Sequence, residues 1–337
     1  MPRARTSHPS ASQLASAPFE GFRLPAFRRA VLRWYDLNRR QLPWRQTSDP
    51  YRIWVSEIML QQTRVAAVLE HYRLFLEQFP ELSVLAKASE SAVLAAWSGL
   101  GYYRRARMMR ICAQTIVREH KGRFPRTSGE LRDLPGIGRY TAAAIASIVF
   151  GEPVAVVDGN VERVLERVMG RALSSSETWQ WAQQLVTASR PGDHNQAMME
   201  LGATICTPRQ PSCSACPIRK WCATRGETSR PAESERQTKK QIWCVLDQRD
   251  GHIRLLRRGV KASLMAGMWE LPQQSVASPG LSPVLRTFRH SITTTDYTVH
   301  VARGSAKGQG RWVPVDRLSG LPITGLTRKI LRAAGII

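Results

Sequence analysis

The chain has 337 residues, 43% of them hydrophobic, which is enough for two domains with real cores rather than a disordered polar chain. Lysine and arginine outnumber aspartate and glutamate by 49 to 26, a formal charge of +23, so the simplest partner is a polyanion. No run approaches the roughly 18 apolar residues of a spanning helix and no basic amphipathic anchor is present, so a membrane is excluded in favour of nucleic acid.

Residues 1–24 hold Arg3, Arg5 and several serines without an amphipathic period, and are expected to be a disordered basic tail rather than a transit peptide. From Pro25 to Asn38 the positions Phe27, Val31, Leu32 and Tyr35 recur at helical spacing. Gln41 to Arg45 ends that helix, with Trp44 and Arg45 as a candidate DNA-facing pair or, for the tryptophan, core packing. One long helix is predicted over Tyr51 to Phe75. Its member Glu57 has Ile53, Trp54, Leu60 and Gln61 as helical neighbours, so no local cation can pair with it. A carboxyl on such an apolar stripe is expected to have a raised pKa and to serve as a proton donor, whereas one at the stripe's edge would simply be solvated.

Residues 83–120 read as further helices broken at Gly99 to Arg105, where glycines, Tyr102, Tyr103 and the arginines Arg104 and Arg105 suit a loop against a nucleic-acid backbone. Thr127 and Glu130 are spaced as a capping box. Leu134-Pro135-Gly136-Ile137-Gly138 then separates that short helix from an Ala-rich one ending near Phe150. Gly136 and Gly138 let the backbone approach a ligand, and the free N–H groups of the second helix suit a DNA phosphate. That grip carries no sequence information.

Val154 to Val157 is a short buried run stopping at Asp158-Gly159-Asn160, and Asp158 is placed to cap a helix from Val161 to Met169. An aspartate holding backbone N–H groups at the positive helix end stays ionised and can face a developing sugar cation. Glu57 and Asp158 thus divide as acid and anion do in glycoside cleavage. Cys206, Cys213, Cys216 and Cys222 follow within 17 residues, with Cys112 and Cys244 apart from them. Four thiolates so spaced suit either a [4Fe–4S] cluster or zinc. Arg209, Arg219, Lys220 and Arg225 surround them. Residues 225–240 lack periodicity and read as a linker. Beyond it, Ile242 to Leu246 and His252 to Leu256 are predicted as a hairpin about Asp250-Gly251, with a strand at Thr293 to Val301 and a closing helix at Leu326 to Ala333.

Taken together, Ser56 to Thr63, Gly99 to Tyr103, Leu134 to Ala142, Val157 to Val161 and the cysteine spacing resemble the A/G-specific adenine DNA glycosylases (MutY type) of the helix-hairpin-helix base-excision superfamily. Met268 to Pro272, Phe288-Arg289-His290 and Arg311 to Pro314 are similar to that family's C-terminal module. The resemblance implies a mainly α helix-hairpin-helix glycosylase domain over 25–224 with a [4Fe–4S] loop at 206–222, and an α+β Nudix-like lesion-recognition domain over 241–337. No glutamate-rich metal helix follows residue 240, so pyrophosphohydrolase chemistry is not expected there.

By the same resemblance the substrate is adenine opposite 8-oxoguanine or guanine in duplex DNA, with the protein a monomer. Glu57 would protonate the flipped adenine, Asp158 would stabilise the sugar cation, and Tyr140 and Asn160 would order the site. Leu134, Gly136, Gly138, Gln62, Tyr102, Trp44, Arg45 and Arg104 would meet DNA. Phe288, Arg289 and His290 would form the lesion-recognition loop, with Arg289 where the family usually has Ser. Endonuclease III-like relatives carry a lysine in place of Tyr140, so a monofunctional enzyme is expected. A thymine or uracil mismatch glycosylase is the nearer alternative and a non-enzymatic DNA-binding protein the remoter one. Location would follow the DNA: cytoplasm in a bacterium, nucleus or mitochondrion in a eukaryote.

Overall fold

A computed structural model describes residues 23–225, 238–259, 261–275, 284–292, 294–306 and 310–337. The expected basic tail, apart from its last two residues, and most of the expected linker lie outside the described residues. No described helix is long and apolar enough to cross a membrane. The contacts divide the chain into two compact units that do not follow chain order. One takes the chain up to Pro50, Arg126–Arg132 and the stretch from Ile137 to Ala232; the other takes Tyr51–Pro125, Asp133–Gly136 and Glu233–Ile337.

The first unit is helical. Its elements are α1 (Leu24–Asn38), α7 (Ser128–Arg132), α8 (Arg139–Phe150), α9 (Gly159–Met169), α10 (Ser175–Leu185) and α11 (Pro191–Thr204). Phe27, Val31 and Tyr35 lie one helical turn apart, so α1 buries a single stripe, and α9 brings Val161, Val164, Leu165 and Val168 to the same core. The run Val154 to Val157 enters this core without forming a strand. Side-chain amides take the place of strand partners: Ala155 N–H donates to Gln183 Oε1 (2.9 Å) and Val156 N–H to Asn195 Oδ1 (3.1 Å).

The second unit begins with α2 (Pro50–Leu60), α3 (Val65–Gln78), α4 (Leu82–Lys87), α5 (Glu90–Ala96) and α6 (Arg104–Glu119). The single helix expected over 51–75 is therefore two, broken at Gln61 to Arg64, where Gln62 has φ +54°. No glycine or proline marks this break. It is held from a distance by Arg105, whose Nη1 donates to the carbonyls of Ile58 (2.8 Å), Met59 (3.1 Å) and Gln61 (2.5 Å), the orphan acceptors of the α2 terminus.

The same unit contains β1 (Thr238–Leu246), β2 (Gln248–Arg249), β3 (His252–Arg257), β4 (Trp269–Glu270), β5 (Gln273–Gln274), β6 (Arg286–Ile292), β7 (Thr295–Arg303), β8 (Arg311–Pro314) and the closing helix α12 (Gly325–Ala333). One sheet has the order β5-β1-β7-β6; in the other β3 pairs with β2, β4 and β8. The expected hairpin between β1 and β3 is not formed. Asp250 and Gly251, at φ +45° and +70°, instead turn β2 into β3, while β1 runs parallel to β7 from Thr238↔Thr295 to Leu246↔Arg303. That pairing also draws residues 238–240 out of the expected linker and into β1.

Candidate functional site

The two carboxylates singled out in the sequence have contrasting surroundings. Glu57 sits on α2, whose residues from Ile53 to Met59 are all buried, and is itself 6% exposed. The solvated alternative is thereby removed. Asp158 caps α9: its Oδ1 accepts from the N–H groups of Asn160 (2.9 Å) and Val161 (2.8 Å), and its Oδ2 accepts from Asn160 Nδ2 (2.9 Å). Three neutral donors hold it, and it remains half-buried.

Asn160 is fixed in turn. Its Oδ1 accepts from Arg163 Nη2 (2.9 Å), which also donates to Gly202 O (2.8 Å), while Arg163 Nε donates to Cys206 O (2.9 Å). Arg167, one turn further along α9, reaches Cys206 Sγ (3.3 Å) and Thr207 O (2.8 Å). This continuity needs α11 to press on the first turn of α9. A Cβ at Gly202 would lie 2.5 Å from Asn160 Cβ and 2.9 Å from its carbonyl oxygen, so the position requires glycine. Arg163 and Arg167 were not among the sequence candidates, although their spacing from Asp158 puts both on one face of the helix it caps.

Cys206, Cys213, Cys216 and Cys222 line one small cavity together with Arg167, Arg219 and Arg225. The donor set is four sulfurs without a carboxylate, and the arginines offset its charge. Among the described residues, no three His, Cys, Asp or Glu side chains are grouped to hold a metal ion. Tyr140 lies near the start of α8 and its hydroxyl is 3.4 Å from Met199 Sδ. Between α7 and α8, Gly136 and Gly138 are exposed and Leu134 is buried. Gly136 has φ +77° and a Cβ there would meet Met108 Cβ at 2.6 Å, so this position admits no side chain.

Within the second unit a cavity of about 910 Å³ gathers Gln62, Tyr102, Arg104, Gly136 and His290. Tyr102 is 52% exposed at φ +47°, and Arg105 packs near the rings of both Tyr102 and Trp97. Burial pushes the pKa of Arg105 down to about 10. The recognition loop expected at Phe288, Arg289 and His290 is instead strand β6, paired antiparallel with β7. Strand alternation therefore separates its members. Phe288 is half-buried with the Lys329 ammonium 4.5 Å from its ring centre, and His290 is half-buried with its pKa lowered by burial and by Lys329. Arg289 is exposed on the opposite face and does not line the cavity, whereas Ser291 and Ile292 do.

Trp44 and Arg45 are also placed away from the expected role. Trp44 is 6% exposed, and Arg45 is spent on Glu200 at 2.9 Å beside the ring of Tyr35. The cation that sequence assigned to DNA neutralises a buried carboxylate.

The model of the HhH-GPD superfamily base excision DNA repair proteins matches residues 55–183. The human adenine DNA glycosylase is 49% identical over an alignment of 215 residues that covers 59% of this chain and 39% of that protein. The Schizosaccharomyces pombe adenine DNA glycosylase is 31% identical over 316 residues, covering 73% of this chain and 68% of that protein. A thermostable thymine-DNA glycosylase superposes with a TM-score of 0.57 at 32% identity, over 60% of this chain and 96% of that one. This chain thus spans well under two thirds of its human relative's length. The fission-yeast relative is nevertheless covered over more than two thirds of its length, and the chain belongs to the adenine DNA glycosylase family within the HhH-GPD superfamily.

Proposed function

We propose that the protein removes adenine mispaired with 8-oxoguanine or guanine from duplex DNA by hydrolysing its N-glycosidic bond, without cleaving the strand. The observation that carries this reading is Asp158, an anion held half-buried by three neutral donors at a helix N-terminus. Such a carboxylate would stabilise the cation that develops on the sugar as the base departs. Glu57, buried on α2, supplies the proton that makes adenine a neutral leaving group. Tyr140 stands where a Schiff-base lysine would be needed for strand scission, so water completes the displacement.

Gln62 and Tyr102 support the extrusion of the base by filling the stack, which offsets part of the unpairing cost. The 910 Å³ cavity is where the partner base would be read, with His290, Ser291 and Ile292 contributed by β6. The C-terminal α+β region is read as a Nudix-like inspection module. Cys206, Cys213, Cys216 and Cys222 would hold a [4Fe–4S] cluster. Their all-sulfur set lines one cavity, and a spacing with one close pair rather than two favours the cluster over a single tetrahedral zinc ion. When bound, that cluster supplies structural support to the loop and no redox step in hydrolysis.

The 32% identity to a thymine-DNA glycosylase favours one second reading, excision of thymine opposite guanine. Single-turnover cleavage of labelled duplexes separates the two: adenine opposite 8-oxoguanine, adenine opposite guanine and thymine opposite guanine, each with and without alkali. Alkali-dependent breakage at adenine is expected, and Glu57→Gln should abolish it while sparing binding. Breakage at thymine, or breakage without alkali trapped by borohydride, would replace this reading.

A further inference from the structure

We propose that Arg105 is a positioning residue for base extrusion, its single guanidinium setting the backbone of both Gln62 and Tyr102, the two side chains read as filling the stack. This rests on the proposed function and names what readies its first step. Arg105 lies in the first turn of α6, and all three residues belong to the second unit.

Three non-glycine residues that border the 910 Å³ cavity have positive φ: Gln62 at +54°, Tyr102 at +47° and Met265 at +51°. Side chains rarely adopt that region, so such a residue is held there by its surroundings. Packing does not hold Gln62 or Tyr102, because both are exposed. The hold falls instead on the carbonyls just before them. Arg105 Nη1 donates to Gln61 O (2.5 Å), while Nη2 donates to Leu100 O (3.0 Å) and Gly101 O (3.3 Å). A peptide unit is planar, so fixing the oxygen of residue 61 or 101 fixes the plane that enters residue 62 or 102. One rigid group thus pins the approach to both strained residues.

The plainer reading is that Arg105 merely caps α2. Capping accounts for the bonds from Nη1 to Ile58, Met59 and Gln61. It does not account for Nη2, which turns to Thr63 Oγ1 (3.2 Å) on one side and to Leu100 and Gly101 on the other. The guanidinium carbon also lies 5.3 Å from the ring centre of Trp97 and 5.4 Å from that of Tyr102, and Trp97 Nε1 donates to the same Gly101 carbonyl (3.0 Å). The hydrogen-bond acceptors of Arg105 are six backbone and hydroxyl oxygens, so no carboxylate draws the fork away from the two loops. Extruding a base costs unstacking energy that side chains offset only where they stand in place of it. A shared anchor spares each loop the ordering that binding would otherwise demand. Lysine cannot replace it, because an ammonium is a point donor and both Nη atoms of the fork are in use.

The test uses the full chain and two readouts. Single-turnover cleavage of adenine opposite guanine is followed at saturating enzyme, where the rate counts only bound duplex. Extrusion is followed by stopped-flow fluorescence of 2-aminopurine, an adenine analogue that brightens on leaving the stack, placed opposite guanine and read in Glu57→Gln protein so that cleavage does not intervene. Arg105→Lys should slow the fluorescence rise and the cleavage together, by about ten- to a hundredfold. Affinity for undamaged duplex should scarcely change. In protein already carrying Gln62→Ala and Tyr102→Ala, the same substitution should cost nothing further in either rate. Arg105→Gln, which can donate to one loop only, is the second variant should the lysine protein fail to fold.

An equal loss in both backgrounds would make Arg105 a helix cap and overturn the proposal. Slow cleavage with an unchanged fluorescence rise would do the same, since the arginine would then act after extrusion. A wild type that extrudes the analogue but cleaves no adenine would defeat the proposed function, while the fluorescence would still decide on Arg105. A wild type that does neither would defeat both.

Discussion

Two carboxylates of the helical unit, Glu200 and Asp158, are both tied down, and the manner of tying separates a structural acid from the one proposed to act on the sugar. Glu200 has a side chain only 1% exposed and meets Arg40 at 2.6 Å and Arg45 at 2.9 Å. Burial raises its pKa, but the hydrogen bonds and charges of the two guanidinia outweigh that and bring it down to about 2. Its charge is already answered by two cations. Asp158 is held by two backbone N–H groups and one side-chain amide, none of them charged, and the nearby Arg163 bonds to Asn160 rather than to it. Neutral donors fix its position without cancelling its field. In the proposed reaction, a cation that forms only in the transition state would find an anion without a bonded cation at Asp158 and none at Glu200.

The sharpest way to break this contrast is Asp158→Asn. Asparagine caps helices about as well as aspartate, so the melting temperature should scarcely move. The charge is lost, and single-turnover cleavage should fall by about a thousandfold. A drop no greater than the loss of folded protein would reduce Asp158 to a cap. Glu200→Gln is the mirror image: it leaves Arg45, with a side chain 11% exposed, without its counter-charge and should cost about 3 kcal/mol or more in urea unfolding. Cleavage per folded molecule should stay near wild type. Were that rate to collapse as well, the division between the two acids would fail.

His194 shows a third arrangement, a titratable group kept neutral. It is 2% exposed on α11, its Nδ1 has no hydrogen-bond partner among the described residues, and burial followed by the Arg28 charge lowers its pKa to about 4. With the unfolded value near 6.5, the unfolded chain takes up this proton first as pH falls. Stability from this group is thus complete above pH 6.5 and declines through the window down to about 4, by about 3 kcal/mol in all. Comparing urea midpoints at pH 7 and pH 5 for wild type and His194→Phe isolates the contribution. The variant should show a shallower fall with acid, and parallel curves would assign the acid sensitivity elsewhere.

The parts of this molecule legible in its sequence are those set by neighbours a few residues away. Asp158 could be read as a cap because its acceptors' partners lie two and three positions on, and Glu57 as buried because its stripe repeats on one helix. The cysteine spacing was legible for the same reason. What was missed depends on distant residues. The break after α2 has no glycine or proline to announce it, and the turn at Gln62 is held by Arg105 of α6, which bonds the neighbouring Gln61 carbonyl from more than forty positions later. Asp250-Gly251 did signal a hairpin, yet the longest pairing of β1 is with a parallel strand, from Thr238↔Thr295 onward, that no turn signal can name. Arg45 is the same lesson in charge: its context read as surface, and its partner, Glu200, lies 155 residues on.

Strand β6 yields the smallest expected effect and a direct contrast between adjacent side chains. Because β6 pairs with β7 in regular register, Phe288 and His290 share one face and Arg289 takes the other. His290 borders the large cavity with Gln62 and Tyr102, whereas Arg289 does not. Restoring the family's usual serine by Arg289→Ser should therefore leave the ratio of cleavage rates for adenine opposite 8-oxoguanine and opposite guanine unchanged, with at most a slight loss of affinity. His290→Ala should move that ratio, since it removes the imidazole from the cavity wall. A changed preference in Arg289→Ser with none in His290→Ala would mean that DNA binding turns the strand over or unpairs it from β7. The faces seen in the free protein would then not be those that inspect the base.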